Sequence, residues 1–558
     1  MLNLSLVSVD LGLGPSVVGT ASLVGIGTDP EATPALSPLA VPWQELHDMP
    51  SPLALLSWHG RASDFVGRRE ELSELDRWAH SDIPVSIKFL AGAGGIGKSR
   101  LAATFATRLM QTKWSAGFVD LRRPARFPLS RAGTLLVIDY PEQYPKEVRE
   151  LLRDLAALGD PPRMRVLFLS RRPMDQWIEV VNDTGAEVLL DGAPVNLGPL
   201  CWEDSHRLYL SVLSRASEKR HTTPFGVVPD AFRDWFQSLP EHRRALFVVA
   251  LAVYGAMNPD DPEVTFSGAA VIDALAQREI SRLHTCAERS AFTDRNALAR
   301  LLAVSAISGG ISVHQLPRLA EAGVLGGKCH AGPSLQERLR DLGILYETHI
   351  RAPTPDIVAA ALATRALAKD AANAPELVWL GIELGLERSV EAFCRISYDA
   401  ELVLGIREHR VSSWLAISVD GNTERAKALR PIVSETRLPL GLIPAAASVW
   451  RTLLSSEVDE SERAPLLNNL SADLAAAGDR PGALEASREA VEIYRRLAEA
   501  NPARYEPDLA SSLNNLSNHL AEAGDRPGAL ETIRERLRRL LHLALIAAKR
   551  LWPPGSAL

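Results

Sequence analysis

Eight consecutive residues, Gly92-Ala93-Gly94-Gly95-Ile96-Gly97-Lys98-Ser99, restrict the fold of this chain more than any other feature. They satisfy the spacing G-x-x-x-x-G-K-[ST], follow the apolar run 85–91 and open the amphipathic stretch 100–112. Strand, glycine-rich turn and helix in that order are the context in which such a match carries meaning. Glycines let backbone N–H groups turn inward around phosphate oxygens, and the start of the following helix adds partial positive charge. Lys98 is placed to reach β- and γ-phosphates, the Ser99 hydroxyl to coordinate Mg²⁺, and Arg100 joins the nucleotide-binding set as the next residue. A plain glycine-rich turn is the alternative, and the correctly placed Lys-Ser pair argues against it.

A phosphate site of this kind also needs a metal anchor on a nearby strand. Leu135-Leu136-Val137-Ile138-Asp139 has four apolar residues ending in an acid, the Walker B form, so Asp139 is expected to hold Mg²⁺ directly or through water. Glu142 lies three residues on and is a candidate for polarising the attacking water, although Tyr140-Pro141 intervene and a solvated loop acid is the plainer reading. The run 165–170 is another apolar strand with polar residues at its end. Ligands of open α/β sheets sit at that edge, which makes Arg171 a candidate sensor of the γ-phosphate; simple solvation of Arg171 and Arg172 is the alternative.

The runs 85–91, 117–121, 134–139, 165–170 and 187–190 read as strands, and 100–112 and 146–158 as helices. Such alternation implies an α/β domain, a parallel sheet with helices on both faces, over residues 58–215. At 558 residues the chain exceeds one hydrophobic core, and about three or four domains are expected. Residues 1–57 read as a flexible leader and a Pro-, Ala- and Ser-rich linker. Residues 216–370 read as helical, with three short helices and a ribbon that would suit a winged-helix module, and 371–460 as a helical arm. No charged start precedes the uncharged run 11–28, whose glycines and Pro15 make a poor membrane span. The net charge of −7 gives no reason to expect nucleic acid as a partner. Cys201, Cys286, Cys329 and Cys394 are scattered, which fits a reducing cytoplasm better than a disulfide framework or a zinc site.

Residues 461–535 contain an internal repeat. Leu467-Asn468-Asn469-Leu470-Ser471 and Gly478-Asp479-Arg480-Pro481-Gly482-Ala483-Leu484-Glu485 both recur 46 residues later. Each unit reads as helix, turn, helix, and such units bury their apolar faces only by stacking on neighbours. The spacing resembles tetratricopeptide repeats with a lengthened period. After Glu535 the likeness stops, and residues 536–558 are expected to replace the second helix with a basic, leucine-rich end. Contact of that end with an anionic membrane is the lesser reading.

Together with Phe65-Val66-Gly67-Arg68-Arg69-Glu70 upstream and Leu197-Gly198-Pro199-Leu200 downstream, these motifs resemble the STAND class, signal-transduction ATPases with numerous domains related to the NACHT and NB-ARC families. The resemblance covers about residues 58–215. It implies that Val66, Gly67 and Arg68 line adenine and ribose and that Pro199 packs against the base. Two departures stand out. About a dozen residues separate the second strand from the third, too few for a full helical crossover. His349 is followed by Arg351-Ala352-Pro353-Thr354-Pro355-Asp356 with no His-Asp pair, so it reads as an ordinary surface histidine. The glycine pair in Ile307-Ser308-Gly309-Gly310-Ile311 reads as a helix-terminating turn. The lack of an Asn-Lys-x-Asp segment favours ATP over GTP.

The function expected from these features is a slowly hydrolysing regulatory switch with ATP/ADP and Mg²⁺ as cofactors. The helical repeats would sense a protein or peptide partner, and self-association could follow the nucleotide state. A constitutive ATPase that remodels a substrate and a nucleotide-stabilised scaffold without catalysis are the alternatives.

Overall fold

The computed structural model describes residues 17–23, 37–46, 51–121, 125–157, 162–172, 174–222, 229–258, 267–326, 333–407, 410–434, 438–456 and 458–551. They divide into two compact units, residues 1–366 with 403–405, and residues 367–402 with 406–558. Cys329 and Leu158 lie outside the described residues.

The first unit contains strands β1 (Val17–Leu23), β2 (Val85–Ala91), β3 (Ser115–Phe118), β4 (Ala125–Ser130), β5 (Thr134–Asp139), β6 (Met164–Ser170) and β7 (Val195–Asn196). Helices α1 (Pro52–Leu56), α2 (Arg69–Ala79), α3 (Lys98–Gln111), α4 (Pro145–Ala157), α5 (Asp175–Asn182) and α6 (Trp202–Arg220) accompany them. Five strands form one sheet in the order β3-β5-β6-β2-β7, every pair parallel. Because side chains alternate along a strand and both faces are covered, the strands read as continuous apolar runs. Ile87, Phe89, Leu136, Ile138 and Phe168 join the core with Val148 and Leu152 of α4. Leu90, Leu135, Val137 and Leu167 point the other way, into the core with Leu75 of α2 and Leu101 and Phe105 of α3.

Two expectations need correction, and one connection takes a form the sequence did not indicate. Residues 187–190 hold a 3₁₀ turn, Glu187–Leu189, and the sheet edge is the two-residue β7. Ile87 bridges only Leu190 of that run, since the turn allows no longer ladder. As the spacing implied, the described residues of the short connection between the second and third sheet strands hold no helix. They include β4, which leaves the main sheet and pairs antiparallel with β1. Residues 1–57 are not all flexible leader, because β1 and α1 fall within them, and Leu55 and Leu56 are buried. Residues 37–46 run along the sheet edge, where the Phe118 amide donates to the Ala40 carbonyl at 3.0 Å.

The rest of the unit is α7 (Pro229–Ser238), α8 (Ala245–Met257), α9 (Gly268–Arg289), α10 (Ala297–Ser308), α11 (Leu316–Glu321), α12 (Pro333–Asp341) and α13 (Asp356–Ala368). Three short strands, β8 (Ile311–Ser312), β9 (Leu345–Tyr346) and β10 (His349–Ile350), form an antiparallel sheet with β10 central, beside α10, α11 and α12. Gly309 ends α10 at φ 68°, the left-handed cap that glycine adopts without strain.

The second unit is helical: α14 (Ala374–Glu383), α15 (Leu386–Tyr398), α16 (Val411–Val419), α17 (Thr423–Val433), α18 (Ile443–Leu454), α19 (Glu460–Ala476), α20 (Arg480–Ala500), α21 (Pro502–Glu522) and α22 (Arg526–Leu551). The repeated Gly-Asp-Arg-Pro-Gly segment explains its own turns. Gly478 ends α19 at φ 86°, and the Asp479 carboxylate accepts from the Gly482 amide at 3.1 Å to cap α20. A side chain at Gly482 would sit 2.6 Å from that carboxylate. Gly524, Asp525 and Gly528 repeat the device between α21 and α22. Sequence identity ends at Glu535, yet α22 continues as one helix across the expected boundary at 535/536; its leucines, arginines and alanines are good helix formers. Among the described residues no helix is long and apolar enough to cross a membrane.

Candidate functional site

The glycine-rich loop joins β2 to α3 at the C-terminal edge of the sheet. Gly92, Gly95 and Gly97 all have positive φ, and a side chain at Gly95 would meet Leu246 at 2.9 Å. The Leu246 amide donates to the Gly95 carbonyl at 2.9 Å, so the start of α8 holds the outside of the loop. Ala93, Gly94 and Ile96 complete the turn.

Lys98 is buried, and its Nζ donates to the carbonyls of Gly92 at 2.6 Å and Ala93 at 3.2 Å. The Ser99 hydroxyl donates to Asp139 Oδ2 at 2.7 Å, joining the loop to the end of β5. Burial pushes the Asp139 carboxyl up to about 6, against the opposing effects of the Ser99 hydrogen bond and the Lys98 charge. Burial, reinforced by Arg171, brings Lys98 down to about 8. Both shifts describe charges held away from water, a state that a phosphate and a cation would relieve.

Strand β6 lies between β2 and β5, so the residues after it emerge between the loop and Asp139. Arg171 stands there, its guanidinium 2.9 Å from where a side chain on Gly94 would begin, and paired with Asp356 at 3.0 Å. Glu142 is buried. Its Oε1 accepts from the Arg171 amide at 3.3 Å, while Oε2 has no hydrogen-bond partner. A buried carboxylate oxygen left unpaired is costly. It fits a site that receives a polar ligand or water, as does the Ser99–Asp139 pair for a hard cation that keeps several waters.

A cavity of about 380 Å³ is lined by Lys98, Ser99, Asp139 and Arg171 and by an apolar set, Val66, Ile96, Leu200, Leu208 and Leu246, while Glu142 lies just outside its lining. Pro199 is exposed and outside the lining, whereas its neighbour Leu200 belongs to it. Gly67 (φ 71°) packs so closely on α6 that a side chain there would meet the Asp204 carboxylate at 2.5 Å. Arg68 ties three segments together. One arm pairs with Glu71 at 2.9 Å, and the other donates to Gly198 O at 2.6 Å and Ile96 O at 3.3 Å. The Arg100 guanidinium donates to Ser63 O at 2.9 Å and lies over the Trp43 ring. His349 pairs with the Thr348 hydroxyl and is not in the cavity lining.

The sequence reading missed Asp356, at the start of α13, and the wall made by Trp58 and His59. The Trp58 ring stacks on His59 (3.9 Å between centroids) and on Phe118 (5.2 Å). Burial and the Arg351 charge bring His59 down to about 4. Neither feature belongs to a motif. The one available signal was the aromatic and cationic content of a segment that otherwise reads as a linker.

The tetratricopeptide repeat family model matches residues 466–503, which span most of α19, the capped turn, α20 and the first residues of α21. No curated protein matches the chain. Among solved structures, the ORC2 protein of Aeropyrum pernix, crystallised as ADPNP-ADP complexes, is similar at 16% identity over 56% of this chain and 98% of that one, with a TM-score of 0.27. A STAND protein with a tetratricopeptide repeat sensor from Pyrococcus horikoshii is similar at 13% identity over 88% of this chain and 86% of that one, with a TM-score of 0.25. From its loop, sheet and repeats, the chain is a P-loop protein with C-terminal tetratricopeptide repeats.

Proposed function

We propose that the chain is a STAND-type switch that binds ATP or ADP with Mg²⁺, hydrolyses slowly, and answers to a protein or peptide partner on its repeats. The observation that carries the reading is the Ser99–Asp139 hydrogen bond of 2.7 Å beside the buried Lys98, within a loop of the full P-loop spacing. Ser99 and Asp139 would hold the Mg²⁺, which supplies charge neutralisation at the phosphates when bound. Lys98 would exchange two carbonyl partners for phosphate oxygens, and Glu142 would orient water with its unpartnered oxygen. Val66 and Leu200 belong to the apolar set, suited to a base. Gly67 shapes that part of the cavity from behind through α6, whereas Arg68 lines the cavity and is held in place by Gly198 and Ile96.

Arg171 gives the site two states. It is held by Asp356, and a γ-phosphate would offer it a second anion. Residues 297–350, three helices with a three-stranded sheet, form the winged-helix module in this reading, and α13 follows it directly.

The test is the nucleotide released when purified chain is denatured. ADP near one per chain, absent from a Lys98→Ala chain, supports a resting switch. An empty site with steady ATP turnover points instead to a constitutive ATPase. An empty site with neither binding nor turnover removes the proposal.

A further inference from the structure

Helix α22 carries an apolar stripe open to solvent: Leu530 (56% exposed), Ile533, Leu537 (52%), Leu540 and Leu541 (63%). The spacing of three and four residues places them along one face. The adjoining side of α22 is already used. Ala529 and Thr532 are buried, Arg536 donates to Asn514 at 2.8 Å, and Arg539 pairs with Glu506 at 2.8 Å, the last two contacts reaching α21.

The internal repeat identifies what the open stripe is built for. Forty-six residues earlier, Ile533, Leu537 and Leu540 correspond to Ser487, Val491 and Tyr494 of α20. Those three are buried, and Tyr494 lies close enough to Tyr505 and Asp508 of α21 to feel both. The stripe on α20 is therefore the seat of the next helix, and α22 presents the same seat with aliphatic side chains at all three positions.

Charge chooses the occupant. The exposed Arg534 and Arg538 flank the stripe, and α22 carries seven basic residues against two acidic ones. Two copies of α22 face to face would bring these like charges together, whereas a helix with acidic flanks would neutralise them. We propose that the exposed face of α22 is a docking site for an amphipathic partner helix with acidic flanks, seated as α21 is seated on α20. This deepens the partner-binding part of the proposed function and rests on the repeat array alone.

The probe is a fluorescently labelled peptide of the α21 sequence, Pro502–Glu522, whose Glu506, Asp508 and Glu522 outnumber Arg504. Anisotropy with the full chain is expected to show saturable binding, weakened at least tenfold by Leu537→Glu and by the pair Arg534→Glu, Arg538→Glu. Added salt should weaken binding to the wild type more than to the charge-reversed pair. Circular dichroism of each variant distinguishes a lost seat from a lost fold. Peptide binding unchanged by Leu537→Glu would overturn the proposal, as would no binding at all. A wild-type dimer that Leu537→Glu converts to monomer would overturn it too, by making the occupant a second copy. Nucleotide content measured on the same variants is expected to be unchanged, so failure here leaves the nucleotide reading to its own test.

Discussion

Asp139 shows what single residues contribute at this site. Its carboxyl is held at about 6, above the ordinary value of 3.8, so the folded chain binds its proton more tightly than the unfolded chain does. A raised acid value means that stability falls as pH rises from about 4 through about 6, where the folded chain must carry a buried charge. Asp139→Asn keeps an acceptor for Ser99 and removes that charge. In nucleotide-free protein at pH 7.5 the variant is expected to be more stable by about 2 kcal/mol, with the gain vanishing near pH 4. Urea denaturation at both pH values checks this, and a variant no more stable at pH 7.5 would contradict the buried-charge account. Its metal-dependent nucleotide binding should be lost even so.

At the scale of elements, close approach explains the glycines better than flexibility does. Gly67 brings the segment before α2 against the first turn of α6, where Asp204 leaves no room for a side chain. Gly67→Ala combines backbone strain at φ 71° with that clash, and a loss of about 1–3 kcal/mol is expected. Gly192 has a similar φ of 66° with nothing within 4 Å, so Gly192→Ala isolates the strain and should cost less. Comparing the two melting temperatures separates the effects; equal losses would mean that the contact with α6 contributes nothing. The parallel strands around the loop were legible because a strand buried on both faces reads as an apolar run. Val195–Asn196 was not, since two residues carry no periodicity, and 187–190 misled because an apolar run that short fits strand and turn alike.

For the whole molecule, the question is how the nucleotide site is tied to elements far along the chain. Arg171 and Asp356 are 185 residues apart and meet at 3.0 Å. If the pair opposes the γ-phosphate, Asp356→Asn should raise affinity for ATP relative to ADP by about tenfold, equivalent to roughly 1.4 kcal/mol. Equilibrium binding of both nucleotides measures the ratio, and an unchanged ratio would remove Asp356 from the switch.

The loop 92–99, the acid at the end of 134–139 and the repeated turns follow from the sequence by itself, because their chemistry is local. A phosphate cradle needs glycines and Lys-Ser within eight residues, and an Asp cap needs its amide three residues on. Other features were settled only by tertiary structure: that Asp356 faces Arg171, that α8 supports the loop, that Leu200 rather than Pro199 lines the cavity, and that 37–46 runs along β3. Each depends on which distant surfaces pack together. No local pattern of residue types records that choice, since an aspartate that opens one helix is the same in sequence whether it meets water or an arginine.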